Sequence, residues 1–172
     1  VFDKTGTLTI GQPQVTECLP LTELTAQQLL QIAASIESGS NHPLAKAIIS
    51  AAQLEDLTLL ETTDFVTVIG QGMSAMVAGE QAYLGNQEWL LNNGVKINQQ
   101  QESQAQSLAK SGKTVIYLAN VGILQGLIVI EDSLRPDAVA TVKQLQSLNL
   151  ETVLLTGDRP EVAEAIAQKL QI

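Results

Sequence analysis

The sequence predicts an α+β protein: an antiparallel sheet of about six strands, flanked by helix pairs, inserted into a split and truncated α/β domain. Three observations carry this. Residues 17–126 group their strands into hairpins and their helices into pairs, as α+β modules do, whereas residues 1–16 and 127–172 alternate strand and helix. Each end also closes a short apolar strand with a motif holding Thr, Gly and a carboxylate, Asp3-Lys4-Thr5-Gly6-Thr7 at one end and Thr156-Gly157-Asp158 at the other.

Taken in order, Val1-Phe2 reads as a strand with Asp3 at its end, and Ile10 to Thr16, with Gly11 and Pro13, reads as a bend followed by an extended hinge. Thr25-Ala26-Gln27-Gln28 has capping-box spacing, and Leu29, Ile32, Ala33 and Ile36 follow at helical period, predicting a helix over 25–38. His42-Pro43 opens the next helix, with Pro where its missing N–H costs nothing. From Phe65 the period changes to two, predicting strands over 65–69, 73–78 and 81–84 with Phe65 in an apolar pattern. A short helix carries Trp89, a Gln-rich helix follows over 99–111, and Gly94 and Gly112 suit left-handed C-caps. Strands over 114–119 and 123–130 come next. Pro136 then opens a helix, residues 152–155 read as a buried strand, and Pro160 opens a last helix.

Composition narrows the function. With 172 residues and 45% hydrophobic content, the chain can bury one fair core or one and part of another. A net charge of −9 repels polyanions, which argues against nucleic acid as a partner. One cysteine, Cys18, and one histidine, His42, exclude an intrachain disulfide and a Cys/His metal cluster within the chain. No run is long enough to span a membrane. The start at Val1, inside a motif, and the stop directly after a helical pattern predict a monomeric, soluble piece of something larger.

A carboxylate at a strand's C-terminal edge, followed by a Gly-containing loop whose N–H groups can face an anion, suits attack on a phosphoryl group and formation of an aspartyl phosphate. Asp3-Lys4-Thr5-Gly6-Thr7-Leu8-Thr9 resembles the signature of the P-type ATPases residue for residue, and the resemblance implies that Asp3 is phosphorylated by ATP. Thr156-Gly157-Asp158 and Asp132-Ser133-Leu134-Arg135-Pro136 are similar to further segments of that family. In a parallel sheet Asp3 and Asp158 would share the C-terminal edge, where open α/β sheets bind ligands. Thr156 would then meet a phosphoryl oxygen.

The middle resembles the nucleotide-binding domain of the heavy-metal branch. Ser40-Asn41-His42-Pro43-Leu44-Ala45, preceded by Glu37, looks like its His-Pro motif, with Asn41 where Glu is commoner; Gly70-Gln71-Gly72 and Gly85-Asn86 look like its two glycine motifs. The resemblance implies segments 1–16 and 127–172 as parts of a Rossmann-like phosphorylation domain of haloacid dehalogenase type, and 17–126 as the nucleotide-binding domain. It implies ATP held by Glu37, His42, Gly70, Gly72, Gly85 and Asn86. It implies Asp3, Lys4, Thr5, Thr156, Gly157 and Asp158 at the phosphorylation site, and Mg²⁺ on Asp3 and Thr5 in a set that this chain leaves incomplete.

Hydrolases of this fold type usually place a second Asp two residues after the nucleophile. Thr5 stands there and cannot act as its acid/base, so the phosphorylated form should be long-lived. The resemblance thus implies the cytosolic part of a membrane pump for a heavy-metal ion. Gly11-Gln12-Pro13 favours Cu(I), with the membrane and actuator parts of the same pump and a metallochaperone as partners. The isolated piece is expected to bind ATP without turnover. A soluble phosphatase of haloacid dehalogenase type and a non-catalytic nucleotide-binding module are the competing readings.

Overall fold

The computed structural model describes residues 1–158 and 160–172. In chain order the elements are β1 (Phe2–Asp3), an irregular turn (Lys4–Leu8), β2 (Gln14–Pro20), α1 (Ala26–Glu37), α2 (Pro43–Leu54), β3 (Thr62–Val68), β4 (Gly72–Val77), β5 (Glu80–Gly85), α3 (Gln87–Asn92), α4 (Gln99–Lys110), β6 (Thr114–Asn120), β7 (Ile123–Glu131), α5 (Ala138–Ser147), β8 (Leu154–Leu155) and α6 (Pro160–Leu170). Six strands form an antiparallel sheet in the order β2-β7-β6-β5-β4-β3, and β1 pairs with β8 in a separate parallel pair.

Alternation along the strands decides what each face of the six-stranded sheet covers. Ile116, Leu118, Ile128 and Ile130 point to one face and pack with Leu29, Ala33, Ile36 and Ile48 of α1 and α2. Tyr117, Ala119 and Leu127 point to the other, where Leu90 of α3, Val95 of the α3–α4 connection and Ala105 of α4 cover them. Helix ends follow local chemistry. Thr25 and Asn98 each form a reciprocal capping box with the glutamine three residues on, and His42 caps α2 with Pro43 at its first position.

The chain's two ends meet in a third cluster, where Phe2, Leu8, Leu134, Ala138, Val142, Leu154, Val162, Ile166 and Leu170 pack together. Two crossing strands join it to the larger sheet: Thr9 bridges Leu134 antiparallel, Ile10 N–H donates to Ser133 C=O (2.9 Å), and Arg135 N–H donates to Leu8 C=O (2.9 Å).

The structure departs from the sequence reading in three places. Residues 14–20 form a strand, not a linker running to Thr16, because β7 offers it a ladder from Gln14↔Glu131 to Pro20↔Gly126. β7, Ile123–Glu131, agrees with the strand expected over 123–130. The expected buried strand over 152–155 is a two-residue strand with Leu155 62% exposed, since among the described residues β1 and β8 pair only with each other. Phe65 is exposed on β3, the sheet's edge, where a register shift separates Thr63 from Val66.

The β6–β7 turn carries a strained residue. Val121 (φ +48°) and Gly122 (φ +74°) both occupy the left-handed region, which a β-branched side chain disfavours, and Val121 is exposed. Val121→Asn should raise stability by about 1 kcal/mol, read as a higher denaturation midpoint at unchanged slope; an unchanged or lower midpoint contradicts the turn's assigned strain.

Candidate functional site

Parallel pairing of β1 and β8 sets Phe2 opposite Leu154 and Asp3 opposite Leu155, so both strands deliver their next residues to one edge. Asp3 is exposed there. Thr156 Oγ1 donates to Asp158 Oδ2 (2.9 Å) and accepts from Asp158 N–H (3.1 Å), closing the turn ahead of α6. Lys4 is buried, and its ammonium forms an ion pair with Asp158 Oδ2. Asp3, Lys4, Thr5, Thr156, Gly157 and Asp158, drawn from opposite ends of the chain, therefore stand together. Lys4 is committed to Asp158; it lowers the negative charge on this edge without pointing at an incoming group.

The Lys4–Leu8 turn cannot hold itself by helical bonds, because Thr5 (φ −75°, ψ 120°) and Gly6 (φ +77°) leave helical geometry. Thr9, fully buried, does the holding. Its N–H donates to Lys4 C=O (3.0 Å), and its hydroxyl accepts from Gly6 N–H (3.2 Å). The hydroxyl proton faces Asp132 Oδ2 at 2.6 Å, with Lys4 C=O at 3.1 Å as the alternative acceptor. The other Asp132 oxygen accepts from Gly11 N–H (3.0 Å) and Gln12 N–H (3.2 Å), and an Arg135 guanidinium nitrogen donates to Gly6 C=O (3.4 Å). The Gly6 N–H is thus taken up by the Thr9 hydroxyl.

A cleft of about 230 Å³ runs between the two parts of the molecule, lined by Lys4, Thr5, Asp132 and Asp158 on one side and His42, Gly112 and Thr114 on the other. His42 Nδ1 accepts the Leu44 N–H (3.2 Å) as the α2 cap, which leaves Nε2 as the ring's N–H donor, facing outward from an exposed side chain. Glu37, the last residue of α1, is half-buried with Oε2 buried and unpartnered, and desolvation pushes its carboxyl above the usual range, against a smaller lowering by the Ser40 hydrogen bond. A buried carboxyl oxygen without a partner is one that a polar ligand would satisfy.

Two glycines of these motifs pack against neighbouring backbone and against Trp89. Gly72 and Gly85 are cross-strand partners, and a Cβ on either would lie 2.6 or 2.9 Å from Trp89 Cδ1. Their missing side chains seat the Trp89 indole, whose Nε1–H donates to Met73 C=O (3.2 Å). Asn86 ties the motifs together: its side-chain N–H₂ donates to Gly70 C=O (3.1 Å), its Oδ1 caps α3 through Trp89 N–H (2.8 Å), and its own N–H donates to Gln71 C=O (2.9 Å). Gly70 (φ +77°) alone has open space at its Cβ position. None of these residues lines the cleft that holds His42.

Sequence reasoning named the 132–136 segment, Thr9 within the signature and Trp89 in a short helix, but gave Asp132, Thr9 and Trp89 no role at the site. Only for Trp89 was a signal available, three motif glycines with an indole four residues after Gly85. As for Mg²⁺, no group of three His, Cys, Asp or Glu side chains sits together among the described residues, and Asp158 is taken by Lys4. These residues do not by themselves fit a complete Mg²⁺ site.

The chain matches the haloacid dehalogenase-like hydrolase family over residues 1–172. It is 43% identical over 173 residues to a probable copper-transporting ATPase, PacS, of Synechococcus elongatus, covering 100% of this chain and 23% of that protein. It is 37% identical over 172 residues to the zinc/cadmium/lead-transporting P-type ATPase of Escherichia coli, covering 98% of this chain and 22% of the relative. Among solved structures it resembles a zinc-transporting PIB-type ATPase in its E2.Pi state, with a TM-score of 0.77 and 34% identity over 99% of this chain and 27% of the other. It also resembles the N-domain of a copper-transporting P-type ATPase, with a TM-score of 0.60 and 29% identity over 70% of this chain and 99% of that one. The chain thus spans about a fifth to a quarter of the length of the curated relatives it matches.

Two outcomes test this geometry. Thr9→Val removes the hydroxyl that Gly6 N–H and Asp132 share, and should cost about 1–3 kcal/mol in chemical denaturation while speeding hydrogen exchange at Gly6. Unchanged Gly6 exchange contradicts the arrangement. Because folding raises the Glu37 pKa, this group's contribution to stability is present at low pH and is lost as pH rises through the carboxylate range. Glu37→Gln should therefore be more stable than the parent at neutral pH, with the gap closing below about pH 4; equal unfolding midpoints at neutral pH would contradict the burial penalty.

Proposed function

The chain belongs to the haloacid dehalogenase-like hydrolase family, and from that membership and its likeness to heavy-metal P-type ATPases we propose that it is the ATP-binding, phosphate-accepting cytosolic part of a metal-ion pump. One observation carries the reading: Asp3 and the Thr156-Gly157-Asp158 turn share a strand edge, and His42 lines the cleft that leads to that edge. Residues 14–131 act as the nucleotide-binding domain and the two ends as part of the phosphorylation domain.

In this proposal a carboxylate oxygen of Asp3 attacks the γ-phosphorus of ATP in line, the bond to the β–γ bridging oxygen breaks, and ADP leaves. The Lys4–Asp158 pair reduces repulsion between this edge and the arriving triphosphate. The Thr156 hydroxyl turns from Asp158 to a phosphoryl oxygen. Thr5 provides no acid/base for hydrolysis, so the acyl phosphate persists while the pump changes shape. His42 donates Nε2–H to an acceptor on the base, and Glu37, whose buried oxygen lacks a partner, meets its amino group. Gly70 and Asn86 border the base site, while Gly72 and Gly85 shape it through Trp89. ATP brings Mg²⁺ with it, and no step is assigned to that ion here.

A copper ion, Cu(I), is the proposed cargo of the intact pump, on the likeness to copper-transporting relatives and the Gly11-Gln12-Pro13 hinge sequence. Its membrane and actuator parts and a metallochaperone are the proposed partners. Cytosolic placement is supported by relatives of the same type, and among the described residues no helix is long and apolar enough to cross a membrane.

ATP titrated into the labelled chain should shift the resonances of Glu37, Ser40, His42 and Gly70 without turnover, and His42→Gln should weaken binding about tenfold, the loss of about 1.4 kcal/mol expected for one good hydrogen bond. Unperturbed resonances at these positions, or sustained ATP hydrolysis by the isolated chain, would contradict the reading.

A further inference from the structure

Apart from the hinge crossing, the two parts touch where α4 ends. Ala109 packs into the cluster that contains Ile166, and Lys169 Nζ donates to Ser111 C=O at 3.0 Å. Gly112 holds its backbone against α6 closely enough that a Cβ there would lie 3.6 Å from both Ala165 Cβ and Ile166 Cγ1. The next residue ties the same turn back to the sheet, through Lys113 Nζ to Glu17 Oε1 at 2.6 Å. A short turn, 109–113, thus clamps α6 on one side and β2 on the other.

This clamp forms part of the cleft. Gly112 and Ile166 both line it, so its width depends on how closely the turn sits on α6. The present volume, about 230 Å³, is below the range of about 300–1,000 Å³ in which small-molecule sites usually fall.

We propose that the contact of turn 109–113 with α6 is a closing latch, which holds the nucleotide-binding and phosphorylation parts together and must release before a nucleotide enters the cleft. The proposal rests on the ATP reading above. The latch is built to release: its polar component is one exposed ammonium-to-carbonyl hydrogen bond, and its apolar component is the partly buried Ala109 at the rim of the third cluster with a glycine backbone beside it. The hinge crossing, by contrast, is fixed by the Asp132 carboxylate and stays in place when the latch opens. A closed form that excludes the ligand lowers apparent affinity by the fraction of molecules that are open.

Two variants move the latch in opposite directions. Gly112→Cys with Ala165→Cys places the two Cβ atoms near 3.6 Å, within the disulfide range of about 3.5–4.5 Å. The native Cys18 does not compete, because burial, with the Glu55 charge, pushes its thiol up to about 11. The oxidised double variant should bind ATP at least tenfold more weakly than the same protein reduced, and reduction serves as the control for the strain of a side chain at Gly112 (φ +88°). Lys169→Glu removes the donor and should tighten ATP binding severalfold while increasing the radius of gyration in solution scattering. Equal ATP affinity in oxidised and reduced forms overturns the latch, as does an unchanged radius of gyration in Lys169→Glu. If the parent chain binds no ATP, the functional reading falls by itself. The latch is then judged on scattering alone, with contraction on oxidation supporting it and identical profiles overturning it.

Discussion

The fold depends on one carboxylate at the crossing of two hinge strands. Asp132 receives the Thr9 hydroxyl at 2.6 Å and the Gly11 and Gln12 N–H groups at 3.0 and 3.2 Å, and so ties the outgoing chain to the returning chain across more than a hundred residues. A charged acceptor strengthens each of these bonds, and Thr9 is fully buried, so the junction is both strong and placed at a single point. The inserted sheet starts immediately beyond it, with Gln14 opposite Glu131. On the other side the same Thr9 hydroxyl holds Gly6, so the position of the hinge and the shape of the turn after Asp3 are set by one network.

Charge at the strand edge is arranged locally, against the chain's overall sign. The molecule carries a net −9, and two carboxylates, Asp3 and Asp158, stand on the same edge. Burying Lys4 beside Asp158 cancels one of them, and low solvent access makes that cancellation effective at short range. The remaining exposed carboxylate is Asp3, the group with a nucleophile's position. The price is that neither Lys4 nor the Gly6 amide is free to meet an anion in this arrangement. Charge compensation for a triphosphate has to come from rearrangement or from groups outside these 172 residues.

Much of this was legible in the chain. The Thr25 capping box, Pro43, the alternating strands and the left-handed glycines identified α1, α2, β4 to β7 and their turns, because these signals act within a few residues of themselves. The signature around Asp3 and the Thr156-Gly157-Asp158 turn named the same edge from opposite ends, because both motifs directly follow short apolar strands. Where the reading failed, the cause was long-range. Residues 14–16 read as the end of a linker and belong to a strand only because β7 is beside them. Phe65 reads as apolar core and lies exposed because β3 is the sheet's edge. The glycine motifs gave no sign that Gly72 and Gly85 stand opposite each other on neighbouring strands and against Trp89.

The sequence alone determined the kind of fold, the strand edge that carries Asp3 and Asp158, and the family, since periodicity, caps and motif chemistry are local properties of neighbouring residues. The tertiary structure decided which groups are already occupied: Lys4 by Asp158, Gly6 by Thr9, the glycine pair by an indole, and α6 by the turn at 109–113. Each of these partners is distant in sequence or set by exact packing. A hydrogen bond or a close approach depends on positions to within a few tenths of an ångström, and only the folded chain sets those.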